Sequence, residues 1–186
     1  MKPIYDEKNG MQLQLLYSRQ RIADAVDRLA AEVSADYAGR ELLVIVVLQG
    51  AFMFAADLVR KLTVPLNLDF VRIASYQGTE STGKPVTTMQ LKSYARGRHL
   101  LVVEDIVDTG ISLSALLRDL QEEGPASLRV CTLIDKHERR RADVRVDYAG
   151  IVCESGFVVG YGLDLNGDWR QLPDIYHAEP VSAGRD

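Results

Sequence analysis

Short apolar runs alternate with amphipathic stretches along most of this sequence. The apolar runs lie at residues 42–48, 100–103 and 128–134, and strands buried on both faces of a parallel sheet have this composition. Apolar residues recur at helical spacing in residues 19–34, 51–61 and 113–123. Further strands are predicted at 66–73 and 150–154. Strands that alternate with helices indicate an α/β fold with a central, mostly parallel sheet flanked by helices.

The segment 75–98 interrupts this alternation, because it is rich in Ser, Thr, Gly and Lys. We predict a flexible loop as far as Lys84, followed by a hairpin arm at residues 86–91. A connection this long in a compact domain is usually a lid or disordered. A lid would keep water away from a reactive substrate. The alternative is a variable surface loop without a role.

The length and charge of the chain limit its organisation and its partners. No linker or internal repeat divides the 186 residues, so a single domain spanning 1–186 is predicted. Residues 178–186 are expected to form a disordered tail. A formal net charge of −4 argues against a protein that coats nucleic acid or binds a membrane surface. We therefore expect small-molecule substrates and neither nucleic acid nor a membrane as partner.

Targeting signals and cysteine usage favour the cytoplasm. The longest apolar run, residues 42–48, is too short to cross a bilayer, and residues 1–10 contain no apolar core of a signal peptide. Cys131 and Cys153 each stand alone in an apolar stretch, which predicts buried free thiols in a reducing compartment.

The strongest chemical signal follows the apolar run at 100–103. A glycine-bearing turn leads from this strand into a helix, and its residues are Asp108, Thr109, Gly110, Ile111 and Ser112. Turn amides and the first amides of a helix bind a phosphate dianion, and glycine permits the left-handed backbone that such a turn needs. Glu104 and Asp105 repel phosphate but accept hydrogen bonds from a ribose diol, directly or through a divalent cation. The pattern therefore predicts a site for a phosphorylated sugar, the alternative being a capping Ser112 beside solvated carboxylates.

Other candidate residues follow the remaining strands. Gln49 and Gly50 lie where an open α/β sheet places ligands, and their amides can hold a second anion, unless this is a plain strand–helix turn. Lys136 follows the run at 128–134, where a lone lysine is usually a solvated charge. The basic residues 139–141 are interpreted as a solvated face or a subunit contact. Phe157 can stack on a flat heterocycle, and the backbone of Val158 can contact the edge of that base.

Three sequence segments carry a resemblance to a known family. VVEDIVDTG at 102–110 resembles the phosphoribosyl-diphosphate signature of type I phosphoribosyltransferases, in the form found in hypoxanthine-guanine phosphoribosyltransferases. LIDK at 133–136 matches the segment that carries the family's base-binding lysine, and FVVGYGLDLNGDWR at 157–170 is similar to its closing segment. The resemblance extends from about residue 44 to residue 170.

This resemblance implies a type I phosphoribosyltransferase fold with a small hood and a flexible catalytic loop that includes Ser75 and Tyr76. It implies Mg²⁺-dependent transfer of 5-phosphoribosyl from phosphoribosyl diphosphate to hypoxanthine, and to guanine, in purine salvage. A homodimer or homotetramer is also implied.

The same resemblance assigns roles to individual residues. Asp108 is the implied general base toward N7 of the purine, and Lys136 donates to its 6-oxo group. Phe157 stacks on the base, and the backbone of Val158 contacts its edge. Asp164 is placed near the base and a metal ion, while Glu104 and Asp105 share another metal ion with the ribose. Arg72, Arg170, Gln49 and Gly50 are directed toward diphosphate, with Gln49 standing where the family usually has lysine.

Several alternatives remain open at this point. A sister enzyme acting on xanthine, adenine or a pyrimidine would carry the same signature. A phosphoribosyl-diphosphate-sensing regulator that binds RNA would need a basic face, which the acidic balance disfavours. The intact acidic residues disfavour a catalytically inactive paralogue.

Overall fold

The computed structural model describes residues 4–6, 8–74, 86–89 and 94–181. In chain order the elements are β1 (Ile4–Asp6), β2 (Met11–Tyr17), α1 (Arg19–Asp36), β3 (Leu42–Leu48), α2 (Phe52–Val59), β4 (Leu66–Ala74), β5 (Val86–Met89), β6 (His99–Val107), α3 (Ile111–Glu122), β7 (Ser127–Lys136), β8 (Tyr148–Cys153), β9 (Val158–Val159) and β10 (Ile175–Pro180). The predicted order of helices and buried strands is thereby confirmed.

The larger sheet has the strand order β5-β4-β3-β6-β7-β8. Its neighbours are parallel from β4 to β8, whereas β5 joins β4 in the antiparallel direction. This confirms a central, mostly parallel sheet. Because the carboxyl ends of parallel strands meet at one edge, the segments after β3, β6 and β7 lie together there.

The position of β3 between two hydrophobic cores explains why its sequence contains no polar residue. Leu42, Val44 and Val46 pack in the core that includes α1 and α2, while Leu43 and Ile45 pack in the opposite core with α3. Alternate side chains of a strand point to opposite faces, so a strand covered on both sides must be apolar throughout.

The flanking helices begin and end close to the predicted positions. Ser18 caps α1 by accepting a hydrogen bond from the Arg21 amide, and the apolar stripe of α1 is buried from Ile22 to Val33. α3 begins at Ile111, so the residues at the end of the predicted turn lie in the first turn of the helix.

A second sheet with the order β1-β2-β10-β9 forms the small hood implied by the family resemblance. The prediction of disorder across 178–186 is wrong for residues 178–180, which belong to β10 and pair with β2. Ala178 is buried in the core of the hood. Pairing with β2 supplies the hydrogen bonds that these residues lack as an isolated tail, and residues 182–186 lie outside the described part.

The loop predicted at 75–84 lies outside the described residues, as do the proposed catalytic-loop residues Ser75 and Tyr76 and the end of the predicted arm. The described part of the arm, β5, pairs with β4. Both cysteines are buried and free, as predicted. Among the described residues, no helix combines the length and the apolar character needed to cross a membrane.

Candidate active site

The turn between β6 and α3 has the conformation that the sequence predicted. Gly110 adopts φ 74°, in the left-handed region, and is the N-cap residue of α3. Its carbonyl accepts a hydrogen bond from the Ser114 amide at 2.8 Å, and the Thr109 hydroxyl accepts one from the Ile111 amide at 3.5 Å. Because no side chain caps the helix, Ser112 is not a capping residue, and the first amides of α3 have no intrahelical partner.

This turn lines a cavity of about 270 Å³ at the carboxyl edge of the sheet. The cavity brings together the predicted phosphate turn, the acidic pair and the end of β3. Its lining includes Gly50, Glu104, Asp105, Asp108, Thr109, Gly110 and Ser112. The structure thus places seven of the predicted site residues around a single space.

Of the acidic pair, Asp105 is buried and Glu104 is partly exposed. Asp105 is 8% exposed, and its Oδ1 accepts a hydrogen bond from the Ile106 amide at 2.8 Å. Burial raises the pKa of Glu104 well above its usual range, and the charge of Asp105 adds to this effect. Burial also raises the pKa of Asp105, although hydrogen bonds and Arg170 oppose that rise. Cations would therefore be favoured beside these carboxylates.

The donor set fits a magnesium ion that shares its coordination with substrate. Within the described residues, no group of three or more His, Cys, Asp or Glu side chains forms a protein-built metal site. Mg²⁺ is typically held by one or two carboxylates together with water and substrate oxygens rather than by a cage of side chains. Glu104 and Asp105 supply such a pair.

Gly50 packs directly against this acidic pair. A Cβ at position 50 would lie 1.6 Å from Oδ2 of Asp105, so a side chain there would displace the buried carboxylate. The neighbouring Gln49 is exposed, and its carbonyl accepts a hydrogen bond from the Phe52 amide at 3.3 Å. The Leu48–Gln49 peptide bond is cis.

Asp108 and Lys136 face each other across the ends of β6 and β7. Nζ of Lys136 lies 3.9 Å from Oδ1 of Asp108, and their side chains are 6% and 27% exposed. Oδ1 is buried and has no hydrogen-bond partner among the described residues. Buried polar atoms are nearly always hydrogen-bonded, so this unpaired oxygen indicates an acceptor kept for a ligand.

Lys136 is not a solvated charge, because it is almost fully buried. Its Nζ donates a hydrogen bond to the Gly156 carbonyl at 2.8 Å and lies 3.4 Å from a carboxylate oxygen of Glu138. The hydrogen bond connects β7 to the segment that continues into Phe157 and Val158. Phe157 is 43% exposed, while Val158 is buried.

The closing segment ends in an ion pair. Nη2 of Arg170 lies 2.7 Å from Oδ1 of Asp164, and Nη1 donates to the Gly162 carbonyl at 2.6 Å. The second oxygen of Asp164 accepts a hydrogen bond from the Gly167 amide at 2.7 Å. A Cβ on Gly162 would lie 2.1 Å from the Gly50 carbonyl, so the closing segment packs closely against the β3–α2 turn. Arg72 is exposed on β4.

Comparisons with known proteins agree with this geometry. Residues 13–166 match the family model described as the phosphoribosyl transferase domain. The chain belongs to the phosphoribosyltransferase family. The hypoxanthine-guanine-xanthine phosphoribosyltransferase of Tritrichomonas foetus is 43% identical over 162 residues, which cover 87% of this chain and 88% of the relative. The hypoxanthine-guanine phosphoribosyltransferase of Staphylococcus aureus strain Mu50 is 36% identical over 168 residues, covering 90% and 94%.

Solved phosphoribosyltransferase structures have the same architecture. A crystal structure of a hypoxanthine-guanine phosphoribosyltransferase from Bacillus anthracis superposes with a TM-score of 0.84 at 35% identity and covers 91% of this chain and 99% of that chain. A hypoxanthine phosphoribosyltransferase from Staphylococcus aureus gives 0.86 at 35% identity, with coverages of 92% and 94%. The family and fold implied by the three sequence segments are confirmed.

Two residues that contact the phosphoribosyltransferase site were missed at the sequence level. Glu138 faces Lys136, as described above, and its carboxylate also accepts a hydrogen bond from the Gly156 amide at 3.3 Å. The interpretation of residues 139–141 as a solvated face is wrong for Arg140, whose side chain is 17% exposed and pairs with Asp135. A run of three arginines carries no signal that its middle member turns toward the interior.

Proposed function

We propose that this protein transfers the 5-phosphoribosyl group of phosphoribosyl diphosphate to hypoxanthine and to guanine, giving IMP or GMP and diphosphate. The observation that carries the proposal is the buried Oδ1 of Asp108, which accepts no hydrogen bond from the described residues and lies beside Nζ of Lys136. An acceptor and a cationic donor side by side match the N7–H and the 6-oxo group of a 6-oxopurine. The 6-amino group of adenine would instead face the lysine with a second donor.

The phosphate turn supplies the other end of the substrate site. The amides of residues 109–112 bind the 5′-phosphate, with help from the positive end of α3. The hydroxyls of Thr109 and Ser112 add donors. Glu104 and Asp105 accept hydrogen bonds from the ribose hydroxyls. This arrangement fixes the sugar between the turn and the acidic pair, so that C1 faces the purine.

In the transfer step N9 of the purine bonds to C1 as the C1–oxygen bond to diphosphate breaks, and that electron pair leaves with the diphosphate. Asp108 accepts the N7 proton, which prevents positive charge from accumulating on the base. A positioned proton acceptor of this kind contributes roughly 10²–10⁴-fold. Lys136 donates to the 6-oxo oxygen, while Phe157 stacks on the ring and the Val158 backbone contacts its edge.

The leaving diphosphate requires positive charge on its side of the site. We assign this to Arg72, Arg170 and the amides of Gln49 and Gly50. When bound, Mg²⁺ supplies further charge neutralisation for the diphosphate, with Glu104 and Asp105 as ligands on the ribose side and Asp164 near the base. Since Asp164 is paired with Arg170 in the structure, these two residues would act together.

The assembly and location of the protein belong to the same proposal. The family resemblance supports a homodimer or homotetramer, and sedimentation analysis at several concentrations measures the assembly. The two buried free thiols favour the cytoplasm. The proposed substrates are small molecules. Because Arg140 is turned inward, the short basic segment 139–141 offers little support for the alternative of an RNA-binding regulator.

A spectrophotometric assay with phosphoribosyl diphosphate and a panel of free bases tests the proposed function. We expect turnover with hypoxanthine and guanine, no turnover with adenine or pyrimidines, and loss of activity with a chelator that Mg²⁺ restores. Turnover with xanthine would extend the substrate range, as the name of the Tritrichomonas relative indicates for that protein. Turnover with adenine in preference to hypoxanthine would contradict the role assigned to Lys136.

A further inference from the structure

Arg140 connects the two residues whose side chains face the purine. It lies in the segment between β7 and β8, and its Nε donates to the Asp108 carbonyl at 3.0 Å. Nη2 donates to the Lys136 carbonyl at 3.1 Å and also pairs with the carboxylate of Asp135. One guanidinium therefore holds the main chain of both Asp108 and Lys136.

The same segment fixes the backbone of the phosphate turn. Nη2 of Arg140 donates to the Val107 carbonyl at 2.8 Å, and the amides of Arg141 and Ala142 both donate to the Thr109 carbonyl at 3.0 Å. Three consecutive carbonyls, those of residues 107–109, thus point toward residues 140–142. In a trans peptide the N–H points opposite to the C=O, so the amides of residues 108–110 point away from this segment.

The hydrogen bonds made by the side chain at position 140 require arginine. A guanidinium presents five donors in a rigid planar fork, whereas lysine has a single donor atom. Only the fork reaches carbonyls on both β6 and β7 from one position. The packing is also close, since a Cβ on Gly110 would lie 3.1 Å from Val144 Cγ2 and 3.3 Å from Arg140 Cδ.

We infer that Arg140 is a positioning residue for phosphoribosyl transfer. It sets the spacing between Asp108 and Lys136 and the orientation of the phosphate-binding amides, and it acts through these groups rather than on the substrate. The inference rests on the roles proposed above for Asp108 and Lys136. Within the described part of the chain, its hydrogen bonds go to β6, β7 and its own connecting segment, and none goes to the β3–α2 turn that faces diphosphate.

The test compares Arg140→Lys with Arg145→Lys, a matched control whose side chain is 89% exposed. For Arg140→Lys we expect the single-turnover rate of IMP formation to fall on the order of 10–100-fold, as small misplacements of catalytic groups do. Affinity for IMP falls as well, whereas affinity for magnesium diphosphate is unchanged. Arg145→Lys keeps the wild-type rate and both affinities.

A wild-type rate and IMP affinity in Arg140→Lys would overturn the inference. Equal losses of IMP and diphosphate affinity would also overturn it, since they would indicate a general loss of structure. If Arg140→Lys does not fold, Asp135→Asn is used to test the inference instead. This substitution removes the ion pair that orients Nη2 of Arg140 but keeps the arginine. For Asp135→Asn, a lowered rate of IMP formation with unchanged diphosphate affinity supports the inference, and a wild-type rate contradicts it.

Turnover of Asp108→Asn is measured alongside these variants. Absence of IMP formation by the unaltered protein contradicts the proposed function, whereas a full rate for Asp108→Asn contradicts only the proton-acceptor role proposed for Asp108. A slow Asp108→Asn enzyme beside a wild-type Arg140→Lys enzyme contradicts the Arg140 inference alone.

Discussion

Replacing Asp108 by Asn removes the proton acceptor and leaves the size of the side chain almost unchanged. We expect the single-turnover rate of IMP formation to fall by roughly 10²–10⁴-fold, the usual contribution of a positioned base. This loss corresponds to about 3–5 kcal/mol of transition-state free energy. The free energy of unfolding should change by less than about 1 kcal/mol, because the interactions that are lost are weak.

The contacts of Asp108 explain why Asp108→Asn should hardly change the free energy of unfolding. Oδ1 of Asp108 accepts no hydrogen bond from the described residues, Nζ of Lys136 is 3.9 Å away, and Nη1 of the exposed Arg139 lies 3.6 Å from Oδ2. Lys136 keeps its hydrogen bond to the Gly156 carbonyl. The substitution therefore affects the proton acceptor far more than the fold.

The assay measures single turnovers in both directions, with a denaturant titration for stability. Asp119→Asn on α3, whose side chain is 61% exposed, is the matched control and should keep the wild-type rate. A near-normal rate for Asp108→Asn would refute the reasoning, and a slow but strongly destabilised variant would show that Asp108 acts on the fold.

Three further predictions follow from the same geometry. Lys136→Met should raise the KM for hypoxanthine roughly 10–100-fold in steady-state assays, because a charged hydrogen bond to the 6-oxo group contributes about 1.5–3 kcal/mol. An unchanged KM would argue against that contact. Gly50→Ala places a Cβ 1.6 Å from Asp105 Oδ2, so kcat/KM for phosphoribosyl diphosphate should fall about 10²-fold, and wild-type kinetics would contradict the packing. Burial raises the pKa of Asp174, but hydrogen bonds from Arg19 outweigh this effect and lower the pKa below its usual value. Asp174→Asn should therefore lower the Tm at pH 7. This difference should shrink as the pH falls through the lowered pKa of Asp174; a difference in Tm independent of pH would refute it.

The central sheet and the phosphate turn could be predicted because their causes are local. An uninterrupted apolar run such as β3 is stable only when covered on both faces, and the sequence after β6 contains the glycine that the left-handed turn requires. The neighbouring carboxylates follow directly in sequence. The local sequence is therefore sufficient to predict the turn and the carboxylates that line the cavity.

The hood and Arg140 could not be predicted because their causes are distant in sequence. Residues 178–180 form a strand by pairing with β2, near the opposite end of the chain, whereas the composition of the segment 178–186 is typical of a tail. The Arg140 side chain turns inward because carbonyls of Val107 and Asp108, which come more than thirty residues earlier, accept its hydrogen bonds. An arginine run has the same composition whether its middle member faces solvent or the turn.

A crystal structure of the protein with IMP measures directly where the substrate groups bind. We expect the 5′-phosphate on the amides of residues 109–112, with purine N7 within hydrogen-bond distance of Asp108 Oδ1 and the 6-oxo oxygen near Lys136 Nζ. A 5′-phosphate bound anywhere other than this turn would contradict the account.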